Sequence, residues 1–152
     1  MTIRVATMAD LPQILPLSVR LFFETQIGPP PEYHTIEQAH RLFFQTHLNS
    51  PLSRTWVAEL NQKVVTIGTL AFFIRPADHG HAAAMEAYLV NIYTTPEYRR
   101  RGLAGAIVNA AITYSRIQGI HTIWVHATKT GYPIYQAAGF QEVAPQVPLK
   151  SA

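Results

Sequence analysis

No cysteine occurs anywhere in the 152 residues. That excludes disulfides, thiolate metal sites and a cysteine nucleophile together, and it is compatible with a reducing cytosol. Long apolar runs are missing too. No stretch approaches the roughly 20 residues of a membrane span, and Met1 to Asp10 has no charged segment followed by an apolar core. A cytoplasmic chain with no membrane partner is expected. Charge is sparse, at 14% of residues with a formal net charge of +3. There is no basic tail, and the one cluster, Arg99-Arg100-Arg101, is local, whereas a duplex-binding surface spreads Lys and Arg along a face. A nucleic-acid partner is therefore not expected, and a local anion site is. GxGxxG, GxxxxGK[ST] and GxSxG are all absent, which weakens nicotinamide, ATP and serine-nucleophile readings.

What is present describes a globular α/β chain. Hydrophobic residues make up 48% of it, enough for a continuous core, and no repeat, linker or low-complexity tract divides it. A single domain over residues 1–152 is expected. Thr2 to Ala6 reads as a strand. Asp10-Leu11-Pro12 opens a helix, with Asp10 as N-cap or first-turn acid, and Leu11, Ile14, Leu15, Val19, Phe22 and Phe23 form its buried stripe. Gly28-Pro29-Pro30-Pro31 makes a stiff loop, and a second helix is predicted from Tyr33 to Leu48, ended by Asn49-Ser50-Pro51.

Two β-rich runs, Thr55 to Leu60 and Val64 to Ile74, predict a hairpin across Asn61-Gln62-Lys63. A further strand from Ala84 to Thr94 follows the polar loop Arg75 to His81 and makes a second hairpin. Leu103, Ile107, Ala111 and Tyr114 then mark a helix that Gly119 terminates. Ile120 to Ala127 reads as a strand, Pro133 to Ala138 as a short helix closed by Gly139, and Phe140 to Val147 as a last strand.

The most informative segment runs from Ile92 to Gly105, a strand leading through a basic turn into a helix. A helix N-terminus offers unpaired amide N–H groups and about half a positive charge, and Gly102, Ala104 and Gly105 leave those amides uncovered for a phosphate. The three arginines add full charge. Arg99-x-x-Gly102-x-Ala104, after Tyr93-Thr94-Thr95-Pro96-Glu97-Tyr98, resembles the acetyl-coenzyme A motif of the GNAT N-acetyltransferases. The resemblance implies that Arg99, Arg100, Arg101, Gly102, Leu103, Ala104 and Gly105 hold the diphosphate. It assigns the pantetheine arm to Ile92, Tyr93 and Thr94, on a strand that splays from its neighbour. The fold it implies is a mixed, mostly antiparallel sheet of six to seven strands with a splayed parallel pair formed by the fourth and fifth, flanked by about four helices. Most of the chain fits, including Ile3 to Thr7, Trp56 to Glu59 and Val64 to Gly68.

The run Tyr135-Gln-Ala-Ala-Gly139-Phe140 is similar to the Tyr-x-x-x-Gly-Phe signature of the same family. Tyr135 is the implied general acid, since a phenol with a reference pKa near 10 can protonate a departing thiolate at neutral pH. Where relatives place an asparagine against the coenzyme, Thr128 stands here. The implied reaction is direct acetyl transfer to an amine in a ternary complex, and the implied enzyme class is acyltransferase.

On the amine side the signal thins. Glu86 is the first candidate for general base, with Tyr88 beside it and His126 as an alternative base or substrate contact. A solvated strand glutamate and a packed histidine are equally consistent with the sequence. Asn91 is expected to face either the core or the coenzyme cleft. Glu24 or Glu32 could anchor a cationic acceptor. That acceptor would be shaped by the first two helices, the Gly28 to Pro31 loop and the His79 to Ala84 loop. His79 and His81 lack recognisable partner ligands, so no metal is predicted. A homodimer through the apolar end Phe140 to Leu149 is compatible with the resemblance. Two other classes stay open: a regulatory module that binds acetyl-coenzyme A without chemistry, and a basic nucleic-acid binder using Arg99 to Arg101.

Overall fold

A computed structural model describes residues 1–48, 50–80 and 82–143. The elements follow in order as β1 (Thr2–Val5), α1 (Leu11–Thr25), α2 (Tyr33–His47), β2 (Ser53–Leu60), β3 (Lys63–Arg75) and β4 (Ala84–Thr94). Then come α3 (Leu103–Ile117), β5 (Ile123–Val125) and α4 (Tyr132–Ala137). Single 3-10 turns lead into α1 at Met8–Asp10 and toward α3 at Pro96–Tyr98.

Among the described residues the strands form one five-stranded sheet in the order β1-β2-β3-β4-β5. Neighbours are antiparallel except β4 and β5, which are parallel and joined by the α3 crossover. The mixed α/β architecture is as expected, with four helices and five strands against the six to seven expected. Residues 140–143 are not in a strand, and the rest of the segment expected to be the last strand, with the apolar end at Leu149, lies outside the described residues, as do Asn49 and His81.

The β2–β3 turn carries Asn61 at φ 50° and Gln62 at φ 63°. Two consecutive left-handed residues are what a two-residue hairpin needs to match strand twist, and here they form without an Asn-Gly pair. The turn before α1 differs in another way. Asp10 does not cap α1 by its side chain; it closes the preceding 3-10 turn by accepting from Thr7 N–H at 2.8 Å. Arg4 then clamps it with two bonds of 2.8 Å and reaches Glu59 on β2 at 2.6 Å, so one guanidinium ties β1, β2 and the start of α1 together.

Alternation along the strands sorts side chains to two faces. Val57, Ile67 and Tyr93 join Ile14, Leu15 and Val19 of α1 and Phe44 of α2 in one core. Trp56, Leu70 and Leu89 join Leu103, Ile107 and Ala111 of α3 and Tyr135 of α4 in the other. The sheet is thus a middle layer, with the helix pair α1–α2 on one side and α3–α4 on the other.

Candidate active site

The site originates in a break of the ladder. Strand β5 pairs with β4 at Ala87–Ile123, Tyr88–Trp124 and Leu89–Val125, and among the described residues no pair follows. The predicted strand from Ile120 to Ala127 is therefore only three residues long. Beyond Leu89, β4 runs on to Thr94 with that edge open. Its path is bent by a bulge: Ile67 pairs with Tyr93 and Thr69 with Val90, so Gly68 faces two residues, Asn91 and Ile92. Asn91 takes φ 57°, the conformation of the inserted residue.

The gap opened in this way is a cleft of about 1280 Å³. Its walls include the β4 residues from Tyr88 to Thr94, the turn residues Tyr98, Arg99 and Arg100, and the small residues Gly102, Ala104 and Gly105 on the first turn of α3. Across the gap stand His126, Thr128, Lys129 and Tyr135. Of the coenzyme-contact residues implied by the sequence, Ile92, Tyr93, Thr94, Arg99, Arg100, Gly102, Leu103, Ala104, Gly105, Thr128 and Tyr135 all border this cleft. Arg101 does not; it packs over the Tyr98 ring at 5.2 Å and donates to the Glu97 carbonyl at 3.3 Å.

At the head of the cleft the backbone is shaped for an anion. Arg100 sits at φ 64° and Gly102 at φ 77°, and no side chain caps the N-terminus of α3. A Cβ built on Gly102 or Gly105 meets nothing within 4 Å, so the space in front of the first α3 turn is open. Uncapped amides at the positive end of a 15-residue helix, with Arg99 and Arg100 beside them, fit a diphosphate in charge and in access.

Arg99 is held by α1. Its Nε donates to the Thr94 carbonyl at 2.8 Å, its Nη2 to Glu24 at 3.2 Å, and its guanidinium lies 5.3 Å from the Tyr93 ring centroid. Tyr93 Oη donates to the other Glu24 oxygen at 2.7 Å. Burial and the Glu24 carboxylate together hold the Tyr93 phenol above its ordinary value. The cation that Glu24 anchors is thus the protein's own. Glu32 instead accepts from the Thr35 hydroxyl at 2.8 Å at the start of α2.

Tyr135 reaches the cleft from α4, whose start is set by a turn. Thr128 Oγ1 accepts from Gly131 N–H at 3.1 Å and the Thr128 carbonyl from Tyr132 N–H at 2.9 Å. The Tyr135 ring is only 8% exposed and packs edge-on against Phe140 at 5.8 Å. Burial raises its phenol pKa above the ordinary value, so the group stays protonated at neutral pH.

Glu86 lies apart from these groups. It is 4% exposed and does not line the cleft. Arg75 Nε donates to one carboxylate oxygen at 2.7 Å and Trp124 Nε1 to the other at 2.8 Å. Tyr88, two residues on and on the same face, does border the cleft, and its ring stacks against His126 at 5.5 Å. Asn109, on α3 one turn after Gly105, and Lys129 also line the site without having been singled out in the sequence. The Gly102, Gly105, Asn109 spacing along one helix face was the available signal for the first of them.

The model of the acetyltransferase (GNAT) family matches residues 19–140. An uncharacterised N-acetyltransferase of Methanocaldococcus jannaschii is 28% identical over 148 residues, covering 93% of this chain and 61% of the relative. Human N-acetyltransferase 8 is 28% identical over 102 residues, covering 64% of this chain and 43% of the relative. The matches thus span less than two thirds of these curated relatives. A predicted acetyltransferase from Clostridium acetobutylicum, solved with acetyl-coenzyme A, superposes with a TM-score of 0.85 at 26% identity, covering 98% of this chain and 95% of that one.

Proposed function

The chain belongs to the acetyltransferase (GNAT) family, and on that premise we propose that it is an acyltransferase that moves an acetyl group from acetyl-coenzyme A to a primary amine. One observation carries the reading: the β4 edge freed after Leu89 runs directly to the uncapped N-terminus of α3, with Tyr135 across the same cleft. An extended arm with a diphosphate at one end and a thioester at the other matches that layout. When bound, the coenzyme supplies an activated acetyl carbonyl and a thiolate leaving group.

In this reading the edge of β4 from Ile92 to Thr94 that faces away from β3 orients the arm, as a further strand would. The amides from Gly102 to Gly105, with Arg99 and Arg100, bind the diphosphate, and Arg101 adds charge from behind Tyr98. Thr128 holds the turn that presents Tyr135. The amine nitrogen forms a bond to the acetyl carbon, the carbon–sulfur bond breaks, and Tyr135 Oη gives its proton to the departing sulfur. The nitrogen must lose a proton to form the amide. Glu86 is the carboxylate to which we assign that proton, reached indirectly because it does not line the cleft and its two oxygens already accept from Arg75 and Trp124. Transfer is direct, since the chain contains no cysteine to carry the acetyl group. We assign this activity to a single domain over residues 1–152.

Calorimetric titration with acetyl-coenzyme A, followed by a free-thiol release assay across an amine panel, tests the proposal. Heat of binding together with amine-dependent thiol release supports it. Binding without release by any amine leaves a coenzyme-binding module, and no binding overturns the reading altogether.

A further inference from the structure

On the α1–α2 side of the sheet, three rings from three neighbouring segments form a row. Phe73 of β3 lies 5.7 Å from Tyr88 of β4 with planes 33° apart, and Tyr88 lies 5.5 Å from His126, just past β5, with planes 34° apart. The row has a fixed foundation. Trp124, in register with Tyr88, turns its indole N–H to Glu86 instead, and Glu86 is held in turn by Arg75, which also pairs with Asp78. Tyr88, His126 and Phe73 all keep part of their surface open, and the first two border the cleft where the β4–β5 ladder ends.

The two faces of the gap therefore carry different chemistry. Tyr135 belongs to the core on the α3–α4 face, while the ring row lies on the opposite face. A thiolate leaving toward Tyr135 leaves the ring side for the incoming amine.

Charge narrows the choice further. Among the described residues, Glu24 is the one carboxylate bordering the cleft, and it is occupied by Arg99 and Tyr93. Glu86, behind the rings, is occupied by Arg75 and Trp124. A polyamine or aminoglycoside would bring several ammonium groups to a cleft whose one carboxylate among the described residues is already paired. A monoamine carried on an aromatic ring would gain stacking on Phe73 and Tyr88 and bring one charge.

Resting on the acetyl-transfer reading, we propose that the acceptor is an arylalkylamine, a single primary amine joined by a short aliphatic link to an aromatic ring, seated on the Phe73–Tyr88–His126 row.

The test uses the full chain saturated with coenzyme A, titrated with 2-phenylethylamine, ethylamine and spermidine, and thiol release with the same amines and acetyl-coenzyme A. 2-Phenylethylamine is expected to bind at least about tenfold more tightly than ethylamine, and to lead in kcat/KM by a similar factor. Phe73→Leu should weaken 2-phenylethylamine about threefold or more, and by a larger factor than it weakens ethylamine, with acetyl-coenzyme A still binding. Spermidine binding or turning over as well as the ring-bearing amine overturns the proposal, as does an unaltered 2-phenylethylamine affinity in folded Phe73→Leu. Failure of acetyl-coenzyme A itself to bind counts against the transfer reading, and the calorimetric arm separates the two.

Discussion

Gly68 faces Ile92 so closely that a Cβ on the glycine would come within 2.5 Å of Ile92 Cδ1, and within 2.6 Å of Ile107 Cγ2. The contact explains how the bulge in β4 is accommodated. The extra residue at Asn91 turns Ile92 toward α3, and only a residue without a side chain leaves room for it beneath the first turns of that helix. The glycine thus sets the course of β4 where it lines the cleft.

Gly68→Ala should therefore act on both stability and coenzyme binding. Overpacking of this kind costs about 1–3 kcal/mol, and the strain falls on the strand that lines the arm's path. A lowered melting temperature with weaker acetyl-coenzyme A binding is the expected outcome. An alanine variant with unchanged melting and unchanged affinity would mean that Ile92 and Ile107 relax freely and that the close approach has no bearing on the site.

Tyr135→Phe removes the proposed acid while keeping the ring against Phe140. General acid catalysis is worth roughly 10²–10⁴-fold, so kcat should fall in that range while the acetyl-coenzyme A dissociation constant changes little. The pH profile adds a second readout. Burial raises the phenol above its ordinary value near 10, so the proton-bearing form persists through neutral and mildly alkaline solution and is lost only above that point. The wild type should show a limb of falling kcat at high alkalinity that the phenylalanine variant lacks.

Much of this site could be read before any coordinates. The arginine-rich turn, the small residues opening α3 and the Tyr135 signature are local patterns, and helices announce themselves by spacing. The parts that were not legible depend on partners distant in the chain. Nothing near Asn91 signals a left-handed residue, because the bulge is defined by Gly68 on the next strand. Strand β5 looked longer because Ile120 and His121 continue the β-rich composition. The Ile120 amide, however, still closes the end of α3 by donating to the Ser115 carbonyl, and pairing with β4 starts only at Ile123. Glu86 stayed open between general base and solvated strand carboxylate because Arg75 and Trp124, which bind it, sit on two other strands.

Glu86→Gln separates the two roles left to that residue. As the base, its loss should lower kcat with little effect on the amine KM. As a support for Trp124 and Arg75, its loss should raise the amine KM with kcat little changed, since an amide oxygen can still accept from the indole but no longer balances the guanidinium charge. Steady-state kinetics with one amine distinguishes these outcomes, and an unchanged kcat sinks the assignment of Glu86 as base.

Asp10 carries the pH dependence of stability that the structure makes most explicit. Hydrogen bonds from the Arg4 guanidinium hold its carboxyl below the usual value, and the Thr7 N–H adds to the effect. The folded state therefore binds this proton more weakly than the unfolded chain. The contribution is fully present above the unfolded carboxylate value of about 3.9 and is lost as pH falls through the lower folded value. Asp10→Asn keeps an acceptor for Thr7 but leaves Arg4 with Glu59 alone. Hydrogen bonds to charged groups are worth about 1.5–3 kcal/mol, and Arg4 is a third exposed, so a loss near the lower end is expected at pH 7. Urea midpoints measured from pH 7 down to pH 3 should fall more steeply for the wild type than for the variant. Parallel curves would show that this clamp between β1, β2 and α1 contributes nothing to acid sensitivity.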